Sequence, residues 1–201
     1  MNRTIRAAIL VLAMAAPAFA DGPPVDPDWP CIQRRQPHLS LAQVWSGPVP
    51  DAATQALART PEIDRLAQEL ALRRLPIEEA EAQMKAFAES HQPAELVALF
   101  SATFDHVNAT RDRLLAGIAR YAHKQEGMEQ QIERLRQQLN ALNAAEPKDF
   151  DSIDRVEEEL DWSTRIFQDR QQSLTYVCET PVILEQRAFA LGRAAQALLP
   201  Q

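Results

Sequence analysis

From Phe104 to Leu142 the apolar residues recur at alternating steps of three and four, a spacing that constrains the fold more than any other feature of the chain. One register of the repeat holds Val107, Leu114, Tyr121, Met128, Leu135 and Leu142; the other holds Phe104, Arg111, Ile118, Gln125, Ile132 and Leu139. Ten of the twelve are apolar, where a chain that is 46% hydrophobic would place about five or six by chance. The pattern predicts one long helix with a narrow apolar edge of the coiled-coil kind.

Pro93 opens that helix and the repeat carries it to about Asn143. A turn over residues 144–148, with Pro147, precedes a second long helix from about Asp149 to Glu179, whose seam is Ile153, Val156, Leu160, Ser163, Phe167, Arg170, Leu174 and Val177. A short loop between two long amphipathic helices makes them antiparallel neighbours. Folding about residue 146 pairs Leu139 with Ile153, Ile132 with Leu160, Gln125 with Phe167, Ile118 with Leu174 and Leu114 with Val177. Arg111, Gln125 and Arg170 interrupt the seams; such residues cost stability but fix register, and Arg170 beside Tyr121 predicts a cation-π contact. Gly117 and Gly127 each cost about 1 kcal/mol relative to alanine, pointing to a close approach or a bend at the foot of the hairpin.

Shorter helices surround this hairpin. Ser40 with Gln43 opens one that Gly47-Pro48 ends after Trp45; Asp51 caps another to about Arg59; Thr60-Pro61 starts a third with Ile63, Leu66 and Leu70 on one face. Pro76 starts a fourth with Ile77, Ala80, Met84 and Phe87 inward. Thr180-Pro181 should break the chain before a last helix facing inward through Leu184, Ala188, Leu191, Ala195 and Leu198. Between residues 96 and 122 the apolar face is broad and calls for several neighbours, whereas from His123 to Asn143 little but the seam is apolar. Those twenty-one residues would project roughly 30 Å. The expected fold is all-α, a compact base of short helices with a long antiparallel two-helix hairpin projecting from it. One helical domain over 39–201 includes the hairpin at 93–179.

Residues 1–20 read as a secretory leader, with Arg3 and Arg6, an apolar core from Ala7 to Ala16, and Ala18-Phe19-Ala20 as the cleavage site. Its removal leaves 181 residues with 19 basic against 28 acidic side chains, a net charge of −9. That charge argues against nucleic-acid or anionic-membrane partners, and no later stretch is apolar enough to span a bilayer. Residues 21–38, with five prolines, predict an extended arm. An even cysteine count after a leader favours a Cys31–Cys178 disulfide, worth up to roughly 5 kcal/mol for so long a loop; a redox or metal-binding thiol pair is the alternative.

The chain offers no candidate catalytic, cofactor-binding or metal-binding residue. His106 and His123 fall on outward positions, His91 ends a helix and His38 lies in the arm, so the four histidines do not converge. Motifs for nucleophilic serine, phosphate loops, zinc or haem are absent. What draws attention lies near the hairpin's tip. Asp149, Asp151, Asp154, Glu157, Glu158, Glu159 and Asp161 form an acidic flank, expected to be solvated and partly paired with Arg134 and Arg136. Trp162 and Ile166 stand off the pairing seam and, with Glu158 and Asp161, are the candidate partner-binding residues.

The segment Asp28-Trp29-Pro30-Cys31-Ile32-Gln33, followed by Leu39-Ser40 and Gln43-Val44-Trp45-Ser46-Gly47-Pro48, resembles the start of a group of small exported proteins of Gram-negative bacteria, alphaproteobacteria in particular. The resemblance covers about twenty residues and implies a periplasmic setting without an activity.

Three functions follow as expectations. The leading one is a periplasmic, non-enzymatic adaptor or chaperone-like protein whose hairpin meets a protein partner or a second copy of itself. The second is a small-molecule binder or enzyme with a pocket in the base, enclosed by Trp29, Trp45 and the last helix. The third is a structural protein of the cell envelope.

Overall fold

A computed structural model describes Asp26 and residues 28–200; the expected leader, its cleavage site and the first residues of the arm lie outside the described residues. Six helices and no strand are found among the described residues: α1 (Leu41–Val44), α2 (Ala52–Leu57), α3 (Pro61–Leu70), α4 (Ile77–Ser90), α5 (Pro93–Ala144) and α6 (Phe150–Ala197). The two long helices are the hairpin. Gln125 donates from Nε2 to the Phe167 carbonyl at 3.3 Å, and the Tyr121 hydroxyl donates to the Arg170 carbonyl at 2.6 Å, which is the pairing the seams require.

The helix starts follow local chemistry. Asp51 accepts from the Thr54 amide at 2.8 Å to cap α2, and Asp149 accepts from the Ser152 amide at 3.1 Å to cap α6. These bonds hold both carboxyls below the ordinary aspartate range: for Asp51 the Thr54 amide weighs most, for Asp149 the Ser152 hydroxyl and then its amide. Glu95 reaches back to the Gln92 amide at 2.8 Å where α5 begins. Thr60 does not cap α3, because its hydroxyl donates to the Leu57 carbonyl at 2.8 Å instead.

The base is built around the first turns of α5 and the last turns of α6. Leu96, Val97, Leu99, Phe100, Phe104 and Val107 meet Leu184, Ala188, Leu191 and Ala195 in one core, to which α3 adds Ile63, Ala67 and Leu70 and α4 adds Ala80, Met84 and Phe87. Trp45 closes it from α1, its ring 4.8 Å from that of Phe100. A Cβ on Gly192 would stand 2.3 Å from the Val44 carbonyl oxygen, so the absence of a side chain there lets α1 lie on α6. Arg187, itself buried, donates from Nε to the Leu70 carbonyl and from one Nη to the Leu75 carbonyl, both at 2.7 Å. It thereby ties the end of α3 and the entry to α4 onto α6, and its burial pushes its pKa down.

Expectation and structure part at Pro181. α6 runs through it without a break, so the expected last helix is the second half of α6. Proline removes one amide donor and crowds the Val177 carbonyl, at roughly 3 kcal/mol. Val177 stands at the exposed edge, 36% accessible. A continuous α6 keeps Leu184 and Leu191 in step with the uninterrupted α5, and each leucine so buried contributes about 1.5–3 kcal/mol. Val177, expected on the seam, is turned outward at the same place.

The arm supplies what the broad face of α5 lacked. Cys31 is bonded to Cys178; Asp28 pairs with Nε2 of His123 at 2.8 Å; and a guanidinium nitrogen of Arg111 donates to the Gln36 carbonyl. The non-helical segment from Gln36 back to Asp28, turned at Asp28 and bent at Ile32-Gln33, thus lies along the hairpin's root from Arg111 to His123. Within it, Trp29 donates from Nε1 to the Gln33 carbonyl at 2.6 Å, and Arg35 holds Asp26 at 2.6 Å.

Candidate functional site

Beyond the arm the hairpin stands on its own seam. On α5 only Ile132 and Leu135 are buried past Ala122, and on α6 only Ile153 and Val156 before Cys178. Trp162 is on the outer face and 62% exposed. It lines a shallow depression of about 600 Å³ with Arg155, Glu158, Glu159, Asp161 and Arg165. Of the expected partner-binding residues, Trp162, Glu158 and Asp161 are therefore brought together, and Ile166 is half-buried outside the depression.

Two residues that the sequence reading passed over extend this face. Tyr176 is 75% exposed and Ile183 is 40% exposed, and they stand fourteen and twenty-one residues after Trp162, at the same position of the seven-residue repeat. The signal was present in the spacing. For Ile183 it was hidden by the expected break at Pro181; Tyr176 lies before that break, within the expected second helix but off its seam. Phe150, 68% exposed, adds an aromatic ring at the tip.

The acidic flank is solvated, but it is not joined to Arg134 and Arg136 as expected. Arg136 reaches Glu133 on its own helix at 3.9 Å, and the polar contact that crosses the hairpin near there is Gln131 to Glu159 at 3.5 Å. Apolar side chains fill the seam between the helices, so outward charges on α5 and α6 face different sides. Arg170 makes no cation-π contact with Tyr121; its guanidinium lies 3.4 Å from the Met128 sulfur, while the phenol spends its hydrogen on the Arg170 carbonyl. A Cβ at Gly127 would meet nothing within 4 Å, and one at Gly117 only the tip of Arg120, so neither glycine serves a close approach.

Arg111 becomes the most buried side chain of its size. It is 0% exposed, with Nε 2.8 Å from a Glu185 carboxylate oxygen and a second nitrogen on the Gln36 carbonyl. The seam residue that looked like a register device is the joint between arm, α5 and α6.

The histidines lie apart, and one departs from expectation. His106 is half-buried, because α3 covers that side of α5, and its Nε2 meets Asp64 at 2.7 Å. His123 is exposed as expected and also holds the arm through Asp28. His91 stacks on Phe87 with centroids 3.7 Å apart and lies 3.5 Å from Glu62. Burial raises the Asp105 carboxyl above the usual range, opposed by His106.

Cavities in the base do not involve the tryptophans proposed to enclose a ligand. Trp45 is core, donating to the Pro48 carbonyl at 2.9 Å, and Trp29 is folded into the arm. One cavity, about 770 Å³, lies where α5 begins and α6 ends, between Val49, Pro93, Val97 and Leu199. No helix of the described residues is long and apolar enough to cross a membrane. No protein family, curated protein or solved structure matches the chain.

Proposed function

We propose that this chain is an exported, periplasmic interaction protein, an adaptor or chaperone-like helper that meets a protein partner with the outer face of its hairpin. The observation that carries the reading is Trp162, a large aromatic side chain 62% exposed on a helix whose own pairing seam has no use for it. Tryptophan dominates interface energetics when a partner covers it, and charged neighbours of both signs form the polar rim such a contact needs. Tyr176 and Ile183 continue the same face toward the base. The disulfide fits an oxidising compartment.

The test is site-specific photo-crosslinking in intact cells from position 158, with and without Trp162→Ala. The expected result is a discrete adduct that falls several-fold in the variant, while helicity and melting change by less than about 0.5 kcal/mol. An adduct of twice the chain's mass identifies the partner as a second copy. An adduct indifferent to Trp162, or a variant that unfolds, overturns the reading.

A further inference from the structure

One cavity of the base is unlike the rest of this acidic molecule. About 570 Å³ in volume, it lies between the turn after α3, the middle of α5 and the Thr180 region of α6. Its polar lining is Gln68, Arg73, His106, Thr110, Arg113 and Thr180, with no carboxylate among them. In a chain of 28 acidic and 21 basic residues, two arginines facing one space without an acid run against composition. Neither arginine makes an ion pair among the described residues. Arg73 donates to the Thr180 hydroxyl at 3.0 Å and Arg113 to the Thr110 hydroxyl at 3.1 Å, so each guanidinium rests on a neutral partner. Asp64 is meanwhile engaged by His106, and Glu185 by Arg111.

Leu72, Leu114 and Leu184 also line the cavity, and Leu72 is 40% exposed. The geometry points to a binding site for a small amphiphilic oxyanion, a carboxylate or phosphate head on a short apolar body. The planar guanidinium forks match either head in two-point fashion, the threonine hydroxyls, which donate to the His106 and Tyr176 carbonyls, accept from the arginines and so steady them, and the leucines take the apolar part. The volume is that of an ordinary small-ligand site. Arg73 and Arg113 come from different elements and converge only in the fold. The site is independent of the stalk reading, since none of its residues lies on the Trp162 face.

The test is calorimetric titration of the disulfide-bonded protein with octanoate, octyl phosphate, acetate, inorganic phosphate and octyltrimethylammonium. One of the two octyl anions should bind one to one, at least about tenfold more tightly than its bare head and than the octyl cation. Whichever anion is preferred names the head group. Arg73→Gln with Arg113→Gln should weaken that binding about tenfold or more while circular dichroism stays unchanged. Since Arg73 also steadies Thr180, Arg113→Gln alone is the second variant, its present bond being within its own helix. The proposal is overturned if neither octyl anion binds, if the cation binds as well as the anions, or if Arg113→Gln leaves affinity unchanged.

Discussion

The same two helices, with one continuous seam, behave differently on either side of His123. Toward the base, Arg111, Leu115, Ile118 and Ala122 of α5 are buried, because the arm lies over what α6 leaves open. Toward the tip, burial shrinks to Ile132 and Leu135 against Ile153 and Val156. Two helices in contact bury an edge of each; covering a broad face takes a third element. Here that element is a non-helical strip, residues 28–36, rather than a helix, and Pro30 within it brings no amide donor that needs a partner. The sheathed root is a three-element core, and the bare stalk is a pair.

The largest effect should come from Arg111→Ala, which removes the joint and leaves Glu185 and the Gln36 carbonyl without their donor. A loss of about 3–5 kcal/mol is expected in urea unfolding, and a loss below 1 would show that the arm is not held there. Next is Cys31→Ser with Cys178→Ser, expected to cost about 2–4 kcal/mol. Hydrogen exchange should then rise over 28–36 and 111–123 while 150–160 is unchanged; a uniform rise would dissolve the distinction between root and stalk. Smaller again, Gly127→Ala should stabilise by about 1 kcal/mol, since it adds helix propensity where a Cβ meets nothing. Thermal melting checks it, and destabilisation would mean the stalk needs a bend.

The smallest effect is one of pH. The Asp149 carboxyl is held low by Ser152, so its contribution is fully present above the ordinary aspartate value and is lost as pH falls through the depressed one. Acidification should fray the first turn of α6, seen as faster exchange of the Ser152 and Ile153 amides, and Asp149→Asn should flatten that dependence. An acid response equal in both proteins would assign it elsewhere.

How much of this was legible follows from where the information sits. The hairpin, its register and the helix starts are local matters of spacing and caps, and Gln125 lands on Phe167 as the repeat requires. The disulfide followed from cysteine arithmetic. Pro181 misled because its helix-breaking cost is local while the packing that outweighs it comes from α5. Arg111 was marked as an oddity, but its partners Gln36 and Glu185 lie 75 and 74 residues away, and no pattern near Arg111 names them. The arginine-lined cavity was invisible for the same reason. Ile183 was readable and went unread once the repeat was stopped at Pro181, whereas Tyr176 lay inside the expected second helix but off its seam.

The continuity of α6 has a mechanical meaning. Cys178 is clamped near the helix's middle, with Trp162 sixteen residues to one side and Ala195 seventeen to the other, arms of about 24 and 26 Å. The far arm is set in the core through Leu184, Ala188, Leu191 and Ala195, so the helix is a cantilever rather than a free rod. A load on Trp162 is borne as bending by one unbroken backbone, with the disulfide as its brace where the stalk leaves the base.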